Sequence, residues 1–382
     1  MFGRREQDWD PRESAVINDQ RRAYDHMRER CPVAYSDFLN WSIFRHADVV
    51  EIAADPETYS SRSRHLAIPN GMDPPEHTIY RQALVPFFEP APMKAFEPVC
   101  RQIARNVLQP LIAAGQGDCA VEFAQPFSAQ SLCALLGWPI DKWKPIWGWT
   151  HGNQEAAFSQ DREAGRALAR EFAGFVHVEI EQRRARNAAP TEDVTANLMA
   201  VEVDRKPLSE EDLVSLLRNW TAGHGTVAAS IGNLVLYLIE HPDDQQRLRD
   251  DPGLLPAAID EILRVDGPLV ANRRTTTRAV EIEGRAIDAG ETLSINWIAA
   301  NRDDRAFVDA TAVRFDRDPA GNLLFGTGIH DCLGAPLARL EMRVAMEELL
   351  ATTKAIEFDP AGRVIRARYP SNGVAALPAR FR

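Results

Sequence analysis

The 382-residue chain is predicted to be mainly α-helical with a minor β portion, and three features carry that expectation. An apolar pattern at helical spacing runs through Leu213, Leu216 and Leu217 to Ile239. Ser209 opens it as N-cap, Glu210, Glu211 and Asp212 fill the first turn, and His241-Pro242 stops it. At ~1.5 Å per residue such a helix approaches ~45 Å, far beyond the mean of ~11 to 12 residues, and so crosses the whole domain. A second helical pattern, Leu333, Leu337, Leu340 and Val344, follows a glycine-punctuated loop, with Pro336 suited to its first turn and continuation through Glu348. Strand-like runs are confined to 279–283, 286–287 and 292–297, with 288–291 as a turn.

Composition bounds the remainder. Hydrophobic residues at 45% and charged residues at 26% suit one large domain over residues 1–382, because no repeat and no low-complexity linker divides the chain. Disorder is expected only over about residues 1–10. The N-terminus is polar and no uninterrupted apolar run reaches the ~18 to 20 residues of a membrane span, so a soluble protein without leader or membrane anchor is expected. Cys31, Cys100, Cys119, Cys133 and Cys332 are an odd, scattered set that fits a reducing compartment, the cytoplasm. A net charge of −11 argues against a nucleic-acid partner. Lys94, Arg101, Arg105, Arg339 and Arg343 are open to two readings, a local basic patch on the cysteine side or a solvated charged face.

The loop Phe325-Gly326-Thr327-Gly328-Ile329-His330-Asp331-Cys332-Leu333-Gly334 carries most of the chemistry. Its glycines permit backbone conformations closed to other residues, and the following helix N-terminus favours negative charge, so Cys332 is expected to persist as a thiolate able to bind metal. Zinc is the weaker reading, since a structural site needs four ligands and no paired Cys-x-x-Cys or His-x-x-x-His is present. In this loop Phe325, Gly326, Gly328, His330, Cys332 and Gly334 match the signature of the cytochrome P-450 superfamily, which the chain resembles from about Arg30 to its C-terminus.

That resemblance implies the P-450 fold, with the long central helix over a buried haem b (iron-protoporphyrin IX), and Cys332 as axial ligand of the iron. Thiolate donation favours O–O cleavage. It places Phe325, Gly326, Gly334 and Ala222 against the cofactor. His77 and Arg81 in the 73–81 segment, Arg274, and His330 are implied partners of the two propionates, which need cationic or hydrogen-bonding groups. It implies that Glu261, Arg264 and Arg317 form an internal structural ion-pair set.

Ala222-Gly223-His224-Gly225-Thr226 resembles the family's Ala-Gly-x-(Asp/Glu)-Thr segment, where a helix distortion admits oxygen and water and the threonine hydrogen-bonds dioxygen. Two glycines here cost roughly 2 kcal/mol against alanine, which function or tight packing must offset. The usual acid is replaced by Gly225. Water admitted beside Gly225, assisted by His224, is the expected proton route to Thr226, although successive helical residues point ~100° apart. Back-bonding of Thr226 within its own helix is the competing reading.

The resemblance implies a substrate pocket drawn from the 66–70 stretch including Ile68, from around Phe158, from Ala222 and Thr226, from Leu269, Val270 and Asn272, and from the 371–374 stretch. A compact hydrophobic substrate, terpenoid or simple aromatic, is expected, with one polar contact from Asn272 or His224. The implied activity is haem-thiolate monooxygenation with dioxygen, as hydroxylation or O-demethylation. Electrons come from a separate ferredoxin and ferredoxin reductase, since no dinucleotide loop or four-cysteine cluster spacing is present. The alternatives are a peroxide-driven oxygenase, a haem isomerase, or a non-catalytic haem-thiolate sensor or carrier.

Overall fold

Ser209 Oγ accepts from the Asp212 N–H at 3.1 Å while the Asp212 carboxylate accepts from the Ser209 N–H at 2.9 Å, so the long helix begins on a reciprocal cap. The computed structural model describes residues 5–63 and 65–382. In chain order its helices are α1 (Ser14–Asn18), α2 (Gln20–Arg30), α3 (His46–Ala54), α4 (Glu76–Leu84), α5 (Pro90–Ala114), α6 (Gln125–Leu136), α7 (Trp143–Ser159) and α8 (Arg162–Ala185). They continue with α9 (Val194–Met199), α10 (Glu210–Glu240), α11 (Pro242–Asp250), α12 (Leu255–Val265), α13 (Trp297–Asn301) and α14 (Ala335–Thr352).

The 31 residues of α10 make it the spine. It is long and apolar enough to cross a membrane, yet 67% of its apolar window is buried inside the fold. Its C-terminal half packs with α5, α6, α12 and α14 around Ile231, Leu234, Val235, Ile259, Leu263 and Leu340. Its N-terminal half meets α7 and α8 through Leu213, Leu216, Leu217, Trp149 and Phe172. Burying each such side chain stabilises by about 1.5–3 kcal/mol, which outweighs the glycines at mid-helix.

A five-stranded sheet orders Val33–Ser36, Asn40–Ile43, Thr292–Asn296, Ala271–Thr276 and Tyr59–Ser60. All its pairs are antiparallel except Asn40–Ile43 with Thr292–Asn296. Alternation exposes the run 292–297 but not Ala271–Thr276, where Asn272, Arg273 and Arg274 hide it. Trp297 starts α13 and does not end the strand.

The predicted disorder over residues 1–10 is corrected from Arg5 onward; residues 1–4 lie outside the described residues. Arg5 pairs with Glu291 at 2.9 Å, Asp8 pairs with Arg285 at 2.9 Å, and the Trp9 ring packs edge-on against Tyr24 and Phe44. An aromatic ring packed against a core cluster anchors what polarity alone suggested was loose.

Candidate active site

The cysteine loop turns on glycines in the left-handed region. Gly328 has φ +73°, and a Cβ there would lie 2.2 Å from the Ala53 carbonyl oxygen, so only glycine fits beside α3. The Cys332 N–H donates to the Phe325 carbonyl at 2.8 Å and the Ala335 N–H to the Cys332 carbonyl at 3.2 Å, which sets the cysteine just before α14. Among the five cysteines only Cys332 is exposed. It is reachable from one side and enclosed on the others, and the enclosure dominates its acidity. Burial pushes its thiol up, against the opposing pull of the Gly334 N–H, Arg81 and Arg339. Burial thus works against the helix N-terminus at this thiol, and a bound metal ion would supply positive charge that favours the thiolate.

Arg274 lies within electrostatic reach of both histidines. It is 7% exposed, and its guanidinium donates to the Arg273 carbonyl at 2.9 Å but reaches no carboxylate within ion-pair distance among the described residues. Burial pulls its pKa down to about 10, with Asp73 partly opposing. The His77 and His330 rings lie with centroids 4.2 Å apart; both His77 nitrogens and His330 Nε2 are buried without a hydrogen-bond partner. Burial first, then His77 and Arg274, push His330 down to about 3. Buried donors with no acceptor and a buried cation with no anion cost several kcal/mol unless an anionic ligand completes them. This set fits a ligand with two carboxylates. Arg81, four residues past His77 and a positive neighbour to it, donates to the Asp331 carbonyl at 2.7 Å and pairs with the Asp331 carboxylate, tying α4 to the cysteine loop.

In α10 the distortion expected at Ala222–Thr226 is not seen; the segment is helical throughout. The Thr226 hydroxyl donates to the Gly223 carbonyl at 2.6 Å, three residues back, while its oxygen keeps acceptor capacity. Gly223 is exposed and a Cβ there would meet nothing. Gly225 is buried, and a Cβ there would lie 3.0 Å from Thr150 Cγ2 and 3.1 Å from Gln154 Nε2 of α7. Open space directly over Gly225 is thus corrected: α7 packs against it, with the half-buried Gln154 amide as the nearest polar group. His224 turns elsewhere. Its Nδ1 sits 2.9 Å from the Trp220 carbonyl, its Nε2 3.3 Å from Glu341 of α14, and its own carbonyl accepts from Ser128 at 2.6 Å.

Glu341 is 0% exposed and neither oxygen has an aligned hydrogen-bond donor, so His224 is its electrostatic partner. The sequence reading missed it. Its signal was its position one residue past Leu340 and four past Leu337, a carboxylate on an apolar helix face. Burial alone would lower the His224 pKa, but Glu341 overrides that and holds it above 6.5. A raised folded value stabilises fully below the unfolded value of about 6.5 and is lost as pH rises through the folded one. The melting temperature is therefore expected to fall above neutrality. The uncharged Glu341→Gln variant should lose that slope; an unchanged slope in calorimetric melts would remove the pair as its origin.

Of the expected pocket residues, Ile68 and Val270 are 0% exposed, so their side chains sit inside core clusters and do not line the wall, a correction to the sequence reading. Phe158 leaves toward Phe38 at 6.0 Å and lies under Arg368 at 4.2 Å. Leu269 is half-buried and Asn272 exposed, its side-chain oxygen accepting from Trp297 Nε1 at 2.7 Å.

The structure does bring Glu261, Arg264 and Arg317 together. Arg264 grips Glu261 at 2.7 and 2.9 Å, Arg317 donates to the same carboxylate at 2.7 Å, and Arg264 also donates to the Asn301 and Ala310 carbonyls at 2.5 and 2.7 Å. The basic patch, by contrast, is neutralised. Arg101 and Arg105 pair with Glu348, Arg343 with Glu97 and Glu347, and Arg339 with Asp260. Of the five cations only Lys94 forms no ion pair among the described residues.

With this geometry in view, the comparisons fall on one family. A family model described as Cytochrome P450 matches residues 253–361. The erythromycin C-12 hydroxylase of Saccharopolyspora erythraea is 35% identical over 343 residues, 85% of this chain and 85% of the relative. Vitamin D(3) 25-hydroxylase of Pseudonocardia autotrophica is 34% identical, covering 86% and 85%, and linalool 8-monooxygenase of Pseudomonas putida 28% identical, covering 88% of each. Among solved structures, a mutant of P450 EryK with erythromycin B superposes with TM-score 0.87 at 29% identity over 95% and 96% of the chains. Ligand-free TbtJ1 superposes with TM-score 0.86 at 30% identity over 100% of each.

Proposed function

Because the chain belongs to the cytochrome P450 family and is a P450 monooxygenase with a haem-thiolate cofactor, we propose that Cys332 holds haem b and that the enzyme hydroxylates or O-demethylates a compact hydrophobic substrate. Electrons reach it from a separate ferredoxin and ferredoxin reductase, and residues 1–382 act as one P450 domain. The accessible Cys332 on its glycine loop before α14 carries this reading. The relatives hydroxylate or epoxidise molecules as unlike as linalool and vitamin D(3), so substrate size rests on this chain's own wall. That wall includes Leu269 and Ala222, small or apolar and half-buried, with Asn272 as its polar member.

When bound, the cofactor supplies two-electron activation of dioxygen, and thiolate donation from the protein favours O–O cleavage. The remaining steps are the chain's own. His77, Arg274 and His330, with Arg81 beside His77, would take the propionates, and Gly326 and Gly334 would let the loop backbone approach the ring. Thr226 on α10 would exchange its bond to the Gly223 carbonyl for one to dioxygen or to an ordered water, and would hold a proton at its Oγ1 for transfer. Tight packing of α7 over Gly225 keeps bulk water out of the same space.

Arg274→Gln is expected to release haem about 10–100-fold more readily, the loss of a charge-assisted hydrogen bond of ~1.5–3 kcal/mol. Haem transfer to an apo-globin acceptor measures it, and unchanged retention would remove Arg274 from the propionate site. The reading as a whole is tested by titrating the ferric protein with monoterpenes, aromatic ethers and aromatic acids while watching for a low-to-high-spin change. A tight response to one class supports the compact pocket. Responses only to macrolide- or steroid-sized compounds would replace it with a larger one.

A further inference from the structure

Gln154 is the residue for which the proposed function has no use, and the structure gives it a specific place. Its side-chain nitrogen lies 3.1 Å from where a Cβ of residue 225 would stand, on the helix face where the sequence motif calls for a carboxylate. The residue is half-buried, and its amide makes no hydrogen bond among the described residues. Its neighbours in α7, His151 and Asn153, are exposed. Thr150 beside it cannot serve in the same way, because its hydroxyl donates to the Ile146 carbonyl at 3.0 Å and it turns its methyl to Gly225. His224 is committed to Glu341 on another side of α10.

Resting on the monooxygenase reading above, we propose that Gln154 is a positioning residue that stands in for the absent acid, holding from α7 the water that relays protons from solvent to Thr226. A primary amide suits this role. It does not titrate, but it offers two donors and an acceptor, and rotation about its terminal bond presents either to a water. The proton comes from solvent, passes through that water and ends at Thr226 Oγ1 as the threonine passes its own proton on. The amide gains and loses none. Gly225 and Gln154 are then one device: the missing side chain at 225 lets α7 approach closely enough for residue 154 to reach α10.

The test pairs Gln154→Leu, of similar size, with Gln154→Glu, which restores a carboxylate from the opposite helix. Gln154→Leu should raise the share of electrons lost to hydrogen peroxide by about threefold to tenfold, below the ~10²-fold scale of a direct proton-transfer group. It should enlarge the solvent isotope effect and shift the infrared stretch of carbon monoxide on the ferrous protein, with substrate affinity within about twofold. Gln154→Glu should restore coupling with a new pH dependence. The contact itself is read without turnover: Gly225→Ala should lower the melting temperature, and less so in a Gln154→Ala background. Equal lowering in both backgrounds overturns the proposal, as does a Leu variant whose only change is weaker substrate binding. Failure of the wild type to show thiolate-type haem absorption would instead sink the monooxygenase reading beneath it.

Discussion

Cys332→Ser is expected to erase the thiolate-type haem absorption and to lower substrate oxidation by at least ~10³-fold, about 4 kcal/mol in activation free energy. A serine hydroxyl at that position donates far less electron density to iron, and the push toward O–O cleavage is lost with it. The fold should survive, because Cys332 is exposed and its backbone bonds to Phe325 and Ala335 need no side chain; melting is expected to change by no more than ~0.5 kcal/mol in stability. The parallel exchanges at Cys100, Cys119 and Cys133 invert the pattern. All three are 0% exposed, and burial raises their thiols, so serine there buries a more polar hydroxyl in the core and destabilises, least at position 100 beside the Ser131 hydroxyl, while the absorption persists. The carbon monoxide difference spectrum of the four variants separates ligand from core thiol. Retained thiolate absorption in Cys332→Ser would assign the iron to another residue.

Glu261→Ala is expected to cost about 3–5 kcal/mol, because it strands Arg264, 1% exposed, and leaves Arg317 and the Arg314 N–H without their acceptor. Against a total stability of about 5–15 kcal/mol, that loss should lower the melting temperature by on the order of 10 °C and sharply reduce soluble yield. Burial alone would raise the Glu261 pKa, but Arg264 and Arg317 outweigh it and hold the carboxyl below 4.5. A depressed folded value contributes stability above the unfolded pKa and loses it as pH falls through the folded one. Acid unfolding of the wild type should therefore steepen below about pH 4.5, and Glu261→Gln should flatten that limb. A variant that melts like the wild type would reduce the triad to a surface ion pair.

Two kinds of signal separate what could be read in advance from what could not. The long helix and its cap were legible because Ser209, Asp212 and the apolar spacing act within a few residues of one another. The Glu261 set was legible because Glu261 and Arg264 stand three apart on one helix, and its third member followed from the resemblance. Gly225 was legible as an anomaly only. Its reason, Thr150 and Gln154 of α7, lies some seventy residues upstream and follows no local period. Ile68 and Val270 were expected on the pocket wall because apolar character does not say which side of a wall a residue faces. The neutralised arginines show the same limit in part: Arg343–Glu347 and Arg101–Glu97 are four apart on one helix, but Glu348 reaches Arg101 and Arg105, Glu97 reaches Arg343, and Asp260 reaches Arg339 only through the packing of α5 and α12 against α14.

The measurement that bears most directly on the central claim is turnover under isotopically heavy dioxygen of whichever compound gives the spin-state response, with ferredoxin and reductase supplying electrons. The account predicts one heavy oxygen atom per turnover, in the hydroxylated product or, for an O-demethylation, in the formaldehyde trapped as it is released, and no product when the reductase is omitted. A product with oxygen from water, or one formed from peroxide alone and never from dioxygen, would contradict it.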